Sequence, residues 1–226
     1  MNGSARVALT IVAASALLAS LGRAQTNAAP VVPVACRLNA ADTLDANFVR
    51  AGFGSLKQDD ISLKITLSGG LQVTATPLDE RIIRLLGPDS YRMLCQNRAS
   101  KQLAIDSIAS GQRLRKYSLW YVSFYAVEQG ETRFSPGEFV ISNVGRDFRP
   151  IKYIPLTAGF GSQRMKQRDV QYAIYVFDGQ LDINQPLTVR VEGTASNTDW
   201  QQVLRRIEQE RALVRSRAAA RPDSTR

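Results

Sequence analysis

The sequence predicts a mainly β chain: an antiparallel sandwich with a small helical insertion and a C-terminal amphipathic helix. Three observations predict it. Residues 61–67 and 71–76 alternate apolar and polar side chains about a Ser68-Gly69-Gly70 turn. Short segments of the same period recur between residues 114 and 192, separated by Gly, Pro and Asp turn signals. Short alternating strands at that spacing belong to sandwiches and barrels. A helical apolar stripe then follows Asn197.

The elements follow in chain order. Residues 1–24 have the form of a secretory signal peptide. Arg6 is the one charged side chain ahead of an uncharged run, Val7 to Leu21, and Gly22 and Ala24 place small residues before a cut at Gln25. The run is about 15 residues, short of the roughly 20 that span a bilayer. The mature chain is therefore expected to be periplasmic or secreted with no transmembrane segment, a retained anchor being the alternative. Residues 25–41 are rich in Ala, Pro and Asn, without periodicity, and predict an N-terminal arm. A sandwich domain is expected over 42–196.

Ile61, Leu63, Ile65 and Leu67 against Ser62, Lys64 and Thr66 predict one strand of a hairpin with one wet face; Leu71, Val73 and Ala75 predict its partner. Pro77 ends that strand. Asp79 is placed to cap a helix over 80–86 that Gly87 stops, and Pro88-Asp89-Ser90 starts another, so the insertion is expected over about 78–99. Residues 100–113 fit either helix or irregular chain. In the next strand Trp120, Val122, Phe124 and Ala126 share one face; Tyr117, Leu119, Tyr121, Ser123 and Tyr125 share the other. Further strands are expected at 138–144, 148–154, 169–177 and 187–192. A final helix is expected over 197–218. Thr198 and Gln201 are spaced as a capping box, and Trp200, Val203, Leu204, Ile207 and Val214 form the stripe, interrupted by Arg211. Residues 219–226 are expected to be a disordered tail.

Composition excludes several functions. The chain has no histidine, so His-based triads and His-ligated metals are out. The net charge is +9, but seven arginines crowd residues 201–226 against Glu208, Glu210 and Asp223. The excess is a tail property rather than a dense basic face, so nucleic acid is not the expected partner. Cys36 and Cys95 are the two cysteines. In an oxidising compartment such a pair is expected to form a disulfide, two free thiols being the alternative. Closing a loop of about 60 residues contributes roughly 4 kcal/mol on the chain-entropy model.

Residues 114–193 resemble bacterial extracytoplasmic immunoglobulin-like domains. The carrying residues are Trp120-Tyr121-Val122-Ser123-Phe124, Phe139-Val140-Ile141, Gly145, Phe148-Arg149-Pro150, Gly159 to Gly161, Ala173 to Asp178 and Leu187-Thr188-Val189. The resemblance implies a sandwich used as an accessory or binding module and carries no catalytic residues. The helical insertion and the basic terminal helix depart from that pattern.

Adjacent acids occur at Asp59-Asp60 and Asp79-Glu80; a strand start and a helix N-terminus account for them better than catalysis or calcium. Gly159-Phe160-Gly161-Ser162 lacks the Gly-Lys-Ser/Thr ending of a phosphate loop. The same five residues, Ala-Gly-Phe-Gly-Ser, occur at 51–55 and 158–162, either as a duplication or as convergent turns. Two candidate contact sites remain. Arg146, Arg149, Lys152, Arg164, Lys166 and Arg168 flank loops that a sandwich can bring to one end, where they would hold an anionic ligand, a glycan or an acidic partner. Tyr117, Tyr121 and Tyr125 form a stripe that either contacts a partner or lies beneath the helices. The arginines of 205–226 would attract an anionic surface. The expected function is a non-catalytic interaction module of the cell envelope, without metal or cofactor; the alternative is an anionic small-ligand or glycan binder using the basic loops.

Overall fold

The computed structural model describes Val49, Ala51, residues 54–162 and residues 164–220, all inside one unit of the chain. The predicted signal peptide, the arm over 25–41, Cys36 and residues 221–226 lie outside the described residues.

Three antiparallel sheets are present among the described residues. Five strands form the largest: β1 (Leu63–Leu67), β2 (Leu71–Pro77), β3 (Tyr117–Ala126), β9 (Val170–Asp178) and β7 (Lys152–Pro155), in that spatial order. Four form the second: β11 (Thr194–Ala195), β10 (Leu187–Val191), β5 (Phe139–Asn143) and β6 (Arg146–Phe148). β4 (Glu131–Arg133) and β8 (Arg164–Lys166) make a short ribbon.

The β1–β2 hairpin matches its alternation, with Leu63, Ile65, Leu71, Val73 and Ala75 buried and Lys64 and Gln72 exposed. Gly69 and Gly70 both take positive φ in its turn, where other residues are strained. On β3, the predicted face Trp120, Val122, Phe124 and Ala126 is fully buried. The second sheet faces it through Phe139, whose ring centroid lies 5.1 Å from that of Tyr175 and 6.0 Å from that of Phe177 on β9. The core therefore sits between the two sheets.

Four expectations are corrected. The predicted 80–86 helix stops early: α1 is Glu80–Ile83. Beyond it Leu56 N–H donates to Leu85 O at 3.1 Å and Gly87 N–H to Leu56 O at 2.9 Å, so the chain leaves the helix to pair with residue 56. The insertion is also longer than expected, because α2 (Pro88–Ser100) is followed by α3 (Gln102–Gly111). The predicted 148–154 strand is two strands in two sheets. Pro150 has no N–H to continue a ladder, and Ile151 N–H restarts pairing on Val176 O at 2.8 Å. Finally, Asp199 rather than Thr198 caps α4 (Trp200–Ala220): its carboxylate accepts from Gln201 N–H at 2.9 Å. Thr198 Oγ1 instead accepts from Lys64 N–H at 3.2 Å and covers the edge of β1.

α4 docks by the predicted stripe. Trp200, Val203, Ile207 and Val214 are buried, and Leu204 partly so. Each large side chain removed from water stabilises by about 1.5–3 kcal/mol. The Trp200 ring lies 6.1 Å from Trp120. Glu210 and Arg211 are buried as well: Glu210 accepts from Ser55 N–H and Oγ–H, both at 2.8 Å, and Arg211 pairs with Glu208.

Candidate functional site

The six basic residues do not converge. β9 separates them. Lys152 pairs in register with Val176, near the end of β9, and Arg146 donates to Gln180 Oε1 at 2.8 Å just past it. Arg168 N–H donates to Ala126 O at 2.8 Å, beside the start of β9 at Val170. The two trios, Arg146/Arg149/Lys152 and Arg164/Lys166/Arg168, thus stand about 20 Å apart at 3.3 Å per strand residue. In the second trio Arg164 is 3.5 Å from Glu131 across the β4–β8 ribbon.

The tyrosine stripe is also divided. Tyr121 is buried and stacks on Tyr172, centroids 5.5 Å apart, and burial raises its phenol pKa well above the ordinary value. Ile174 and Ile154, on the same side of the sheet, are buried too, and α3 lies against β7 there. Tyr125 is 36% exposed and Tyr117 is half-buried. The acid pairs have local partners: Asp59 meets Lys64 at 2.9 Å, Asp60 meets Arg206 at 3.1 Å, and Asp79 caps α1 by accepting from Arg81 N–H at 2.8 Å. Phe160 is a core plug, 5.5 Å from Phe134 and 6.0 Å from Phe124 between centroids.

The geometry instead builds a cleft of about 700 Å³ where β2 and β9 end and β3 begins. Its walls are the start of α1, Arg98 on α2, residues 116–119 and the loop 179–184. Four apolar side chains form the floor: Leu78, Leu119, Leu181 and Ile183, all buried.

Charge on the α1 wall is internally balanced. Arg81 grips Asp79 with two bonds, Nε at 3.0 Å and Nη2 at 2.8 Å. Glu80 Oε1 accepts from Tyr91 O–H at 2.8 Å and lies 2.6 Å from Arg84 Nε, while its Oε2 faces Arg98 Nη1 at 3.7 Å. Arg84 is 2% exposed and sits 5.6 Å from the centre of the Tyr91 ring. Burial first, and the Glu80 carboxylate second, push the Tyr91 phenol pKa up.

The opposite wall is held rigidly. Asn143, buried at the end of β5, donates to Asp182 O at 3.1 Å and Pro186 O at 3.0 Å, and accepts from Asp182 N–H at 3.0 Å. Trp200 Nε1–H donates to Ile183 O at 2.8 Å. A Cβ on Gly179 would lie 2.4 Å from Lys116 Cβ and 2.5 Å from its carbonyl carbon, so only glycine lets the loop pass there. Nearby, the Ser142 hydroxyl, then Arg190, hold the Asp147 carboxyl below its usual range, each at 2.6 Å.

Lys116 stands exposed on this wall, and among the described residues no carboxylate lies within ion-pair distance of it. The Asp182 carboxylate accepts from Asn184 N–H at 2.9 Å and Nδ2–H at 3.0 Å. Among the described residues no cluster of three or more Asp, Glu or Cys is arranged to hold a metal, and no helix is long and apolar enough to cross a membrane. Sequence reasoning missed Arg98, Lys116 and Asp182 altogether. The signals it had were the Asp79 cap and the Asp178-Gly179 turn. No family model, curated protein or solved structure matches this chain.

Proposed function

We propose that the protein is an exported, non-catalytic binding module of the cell envelope, built on an immunoglobulin-like sandwich, and that it holds its ligand in the cleft beside Lys116. The cleft carries this reading: about 700 Å³ with an apolar floor and a polar rim has the size and chemistry of a ligand site. The facing of two antiparallel sheets through Phe139, Tyr175 and Phe177 supports the sandwich. The leader pattern over residues 1–24 supports export, and an expected Cys36–Cys95 bridge would tie the N-terminal arm to α2, the helix that supplies Arg98.

Two measurements test the reading. Intact mass of protein recovered from envelope or medium should lack residues 1–24; full-length protein confined to the cytosol contradicts export. Native mass spectrometry of that protein should show a non-covalent small-molecule adduct that Leu181→Trp, which fills the floor, removes. An adduct present equally on both proteins, or absent from both, contradicts a cleft ligand.

A further inference from the structure

We infer that the ligand of this cleft is a compact zwitterion with an aliphatic body, a free amino acid or a short peptide, whose carboxylate Lys116 holds and whose ammonium Asp182 holds. The inference rests on the binding-module reading and specifies its chemistry.

The argument is one of balance. The lining carries three acids, Asp79, Glu80 and Asp182, and three bases, Arg81, Arg98 and Lys116. One pair is closed, because Arg81 grips Asp79 with two bonds. A second is open. Glu80 Oε2 stands 3.7 Å from Arg98 Nη1, and Glu80 Oε2 and Arg98 Nε, both buried, have no hydrogen-bond partner among the described residues. The third acid and the third base do not pair with each other. Asp182 Oδ1 accepts from Asn184 N–H and Nδ2–H, and among the described residues no donor meets the other carboxylate oxygen. Lys116 has no carboxylate within ion-pair distance among the described residues.

Two open charges of opposite sign in one cleft select against singly charged ligands. An anion drawn to Lys116 meets Asp182 as a like charge, and a cation drawn to Asp182 meets Lys116 in the same way. A zwitterion answers both. The chain also keeps the two groups near each other. A Cβ on Gly179 would lie 2.4 Å from Lys116 Cβ, and the run from Gly179 to Asp182 is at most about 11 Å of extended chain. The floor of Leu78, Leu119, Leu181 and Ile183 is aliphatic and buried, so it suits an aliphatic side chain. That floor keeps water from one side of the cleft, where a charge pair is stronger than on open surface. The loop wall, held by Asn143 and Trp200, is set before the ligand arrives, which lowers the ordering cost of binding. The opposite trio Arg164/Lys166/Arg168 lines neither described cleft and so provides an internal control.

Calorimetric titration of the mature protein with leucine, leucylleucine, isocaproate and isoamylamine tests the assignment. Isocaproate is leucine without its ammonium, and isoamylamine is leucine without its carboxylate. At least one of the two zwitterions should bind ten or more times tighter than both singly charged analogues, and which one does so separates a free amino acid from a peptide. Lys116→Met keeps the stem and removes the charge, while Asp182→Asn keeps the acceptor that Asn184 uses. Each should weaken the zwitterion tenfold or more. Lys116→Met should not weaken isoamylamine, and Asp182→Asn should not weaken isocaproate. Lys166→Met should leave all four unchanged. Either analogue binding as tightly as the zwitterions, a loss in only one of the two cleft variants or in neither, or an equal loss in Lys166→Met overturns the zwitterionic assignment. Failure of both zwitterions to bind at millimolar concentration overturns it as well. The native-mass adduct and its loss in Leu181→Trp do not depend on ligand charge, so they report separately on whether the cleft binds anything.

Discussion

The two ends of the five-stranded sheet carry similar basic residues and do opposite things with them. At the end where β3 begins, Arg98 and Lys116 flank a concavity whose floor is leucine and isoleucine and whose loop is pinned by a buried asparagine and a buried tryptophan. At the end where β3 stops, Arg164, Lys166 and Arg168 stand in water on a short ribbon or the turn after it, and Arg164 meets Glu131 at 3.5 Å across it. Exposed pairs of that kind contribute little, because water and salt screen them. Counting cations along the chain therefore singles out neither end, since Arg146, Arg149 and Lys152 stand near the one and Arg164, Lys166 and Arg168 at the other. What distinguishes a site is enclosure.

Substitutions can break the contrast. Trp200→Ala has the largest expected effect, about 3–5 kcal/mol in unfolding free energy, because it opens a cavity against Trp120 and releases Ile183 O. Thermal or denaturant unfolding checks it, and an unchanged midpoint would detach α4 from the core. Asn143→Ala comes next at about 2–3 kcal/mol, since it strands two backbone carbonyls and one N–H of the cleft loop. Arg164→Ala, at the other end, should fall within about 0.5 kcal/mol of the parent protein. A loss at Arg164 equal to that at Asn143 would erase the distinction between a pinned end and a solvated one.

Alkaline titration sharpens the picture of what lies between the ends. Burial raises the phenol pKa of Tyr121 and Tyr175, and burial with Glu80 raises that of Tyr91. For groups whose folded pKa lies above the unfolded one, the stabilising contribution is complete below about pH 10 and is lost as pH climbs past it. At about pH 11 the folded protein should therefore show three tyrosines fewer as phenolate than the denatured chain does. Equal phenolate absorbance in both states would place Tyr121 in water and restore it to a contact stripe. A cysteine test accompanies this. Non-reducing peptide mapping of envelope-derived protein should recover Cys36 linked to Cys95, and two freely alkylated thiols would remove the proposed tie between the arm and α2.

Much of the fold was legible because its signals are local. The β1–β2 hairpin has one wet face, so alternation alone defines it. Asp79 and Pro88 mark helix starts by chemistry confined to one turn. The illegible parts depend on partners far along the chain. β4 and β8 are three residues each, and Glu131-Thr132-Arg133 has no apolar alternation, so only its pairing with Arg164–Lys166 makes it a strand. The run 148–154 shows strand periodicity but not a change of sheet, which Pro150 and the 2.8 Å bond from Ile151 to Val176 impose. The cleft is the extreme case. Asp79, Arg98, Lys116 and Asp182 come from four elements, and no spacing in the sequence announces their meeting. Conversely, Arg146 to Arg168 look like neighbours because 23 positions hold six cations, yet β7 and β9 run between them and carry them to opposite ends.

Native mass spectrometry of the envelope-derived protein beside its Leu181→Trp variant tests the central claim most directly. The account predicts a non-covalent small-molecule adduct on the parent protein that the variant, its cleft floor filled, loses. An adduct on both proteins, or on neither, would contradict it.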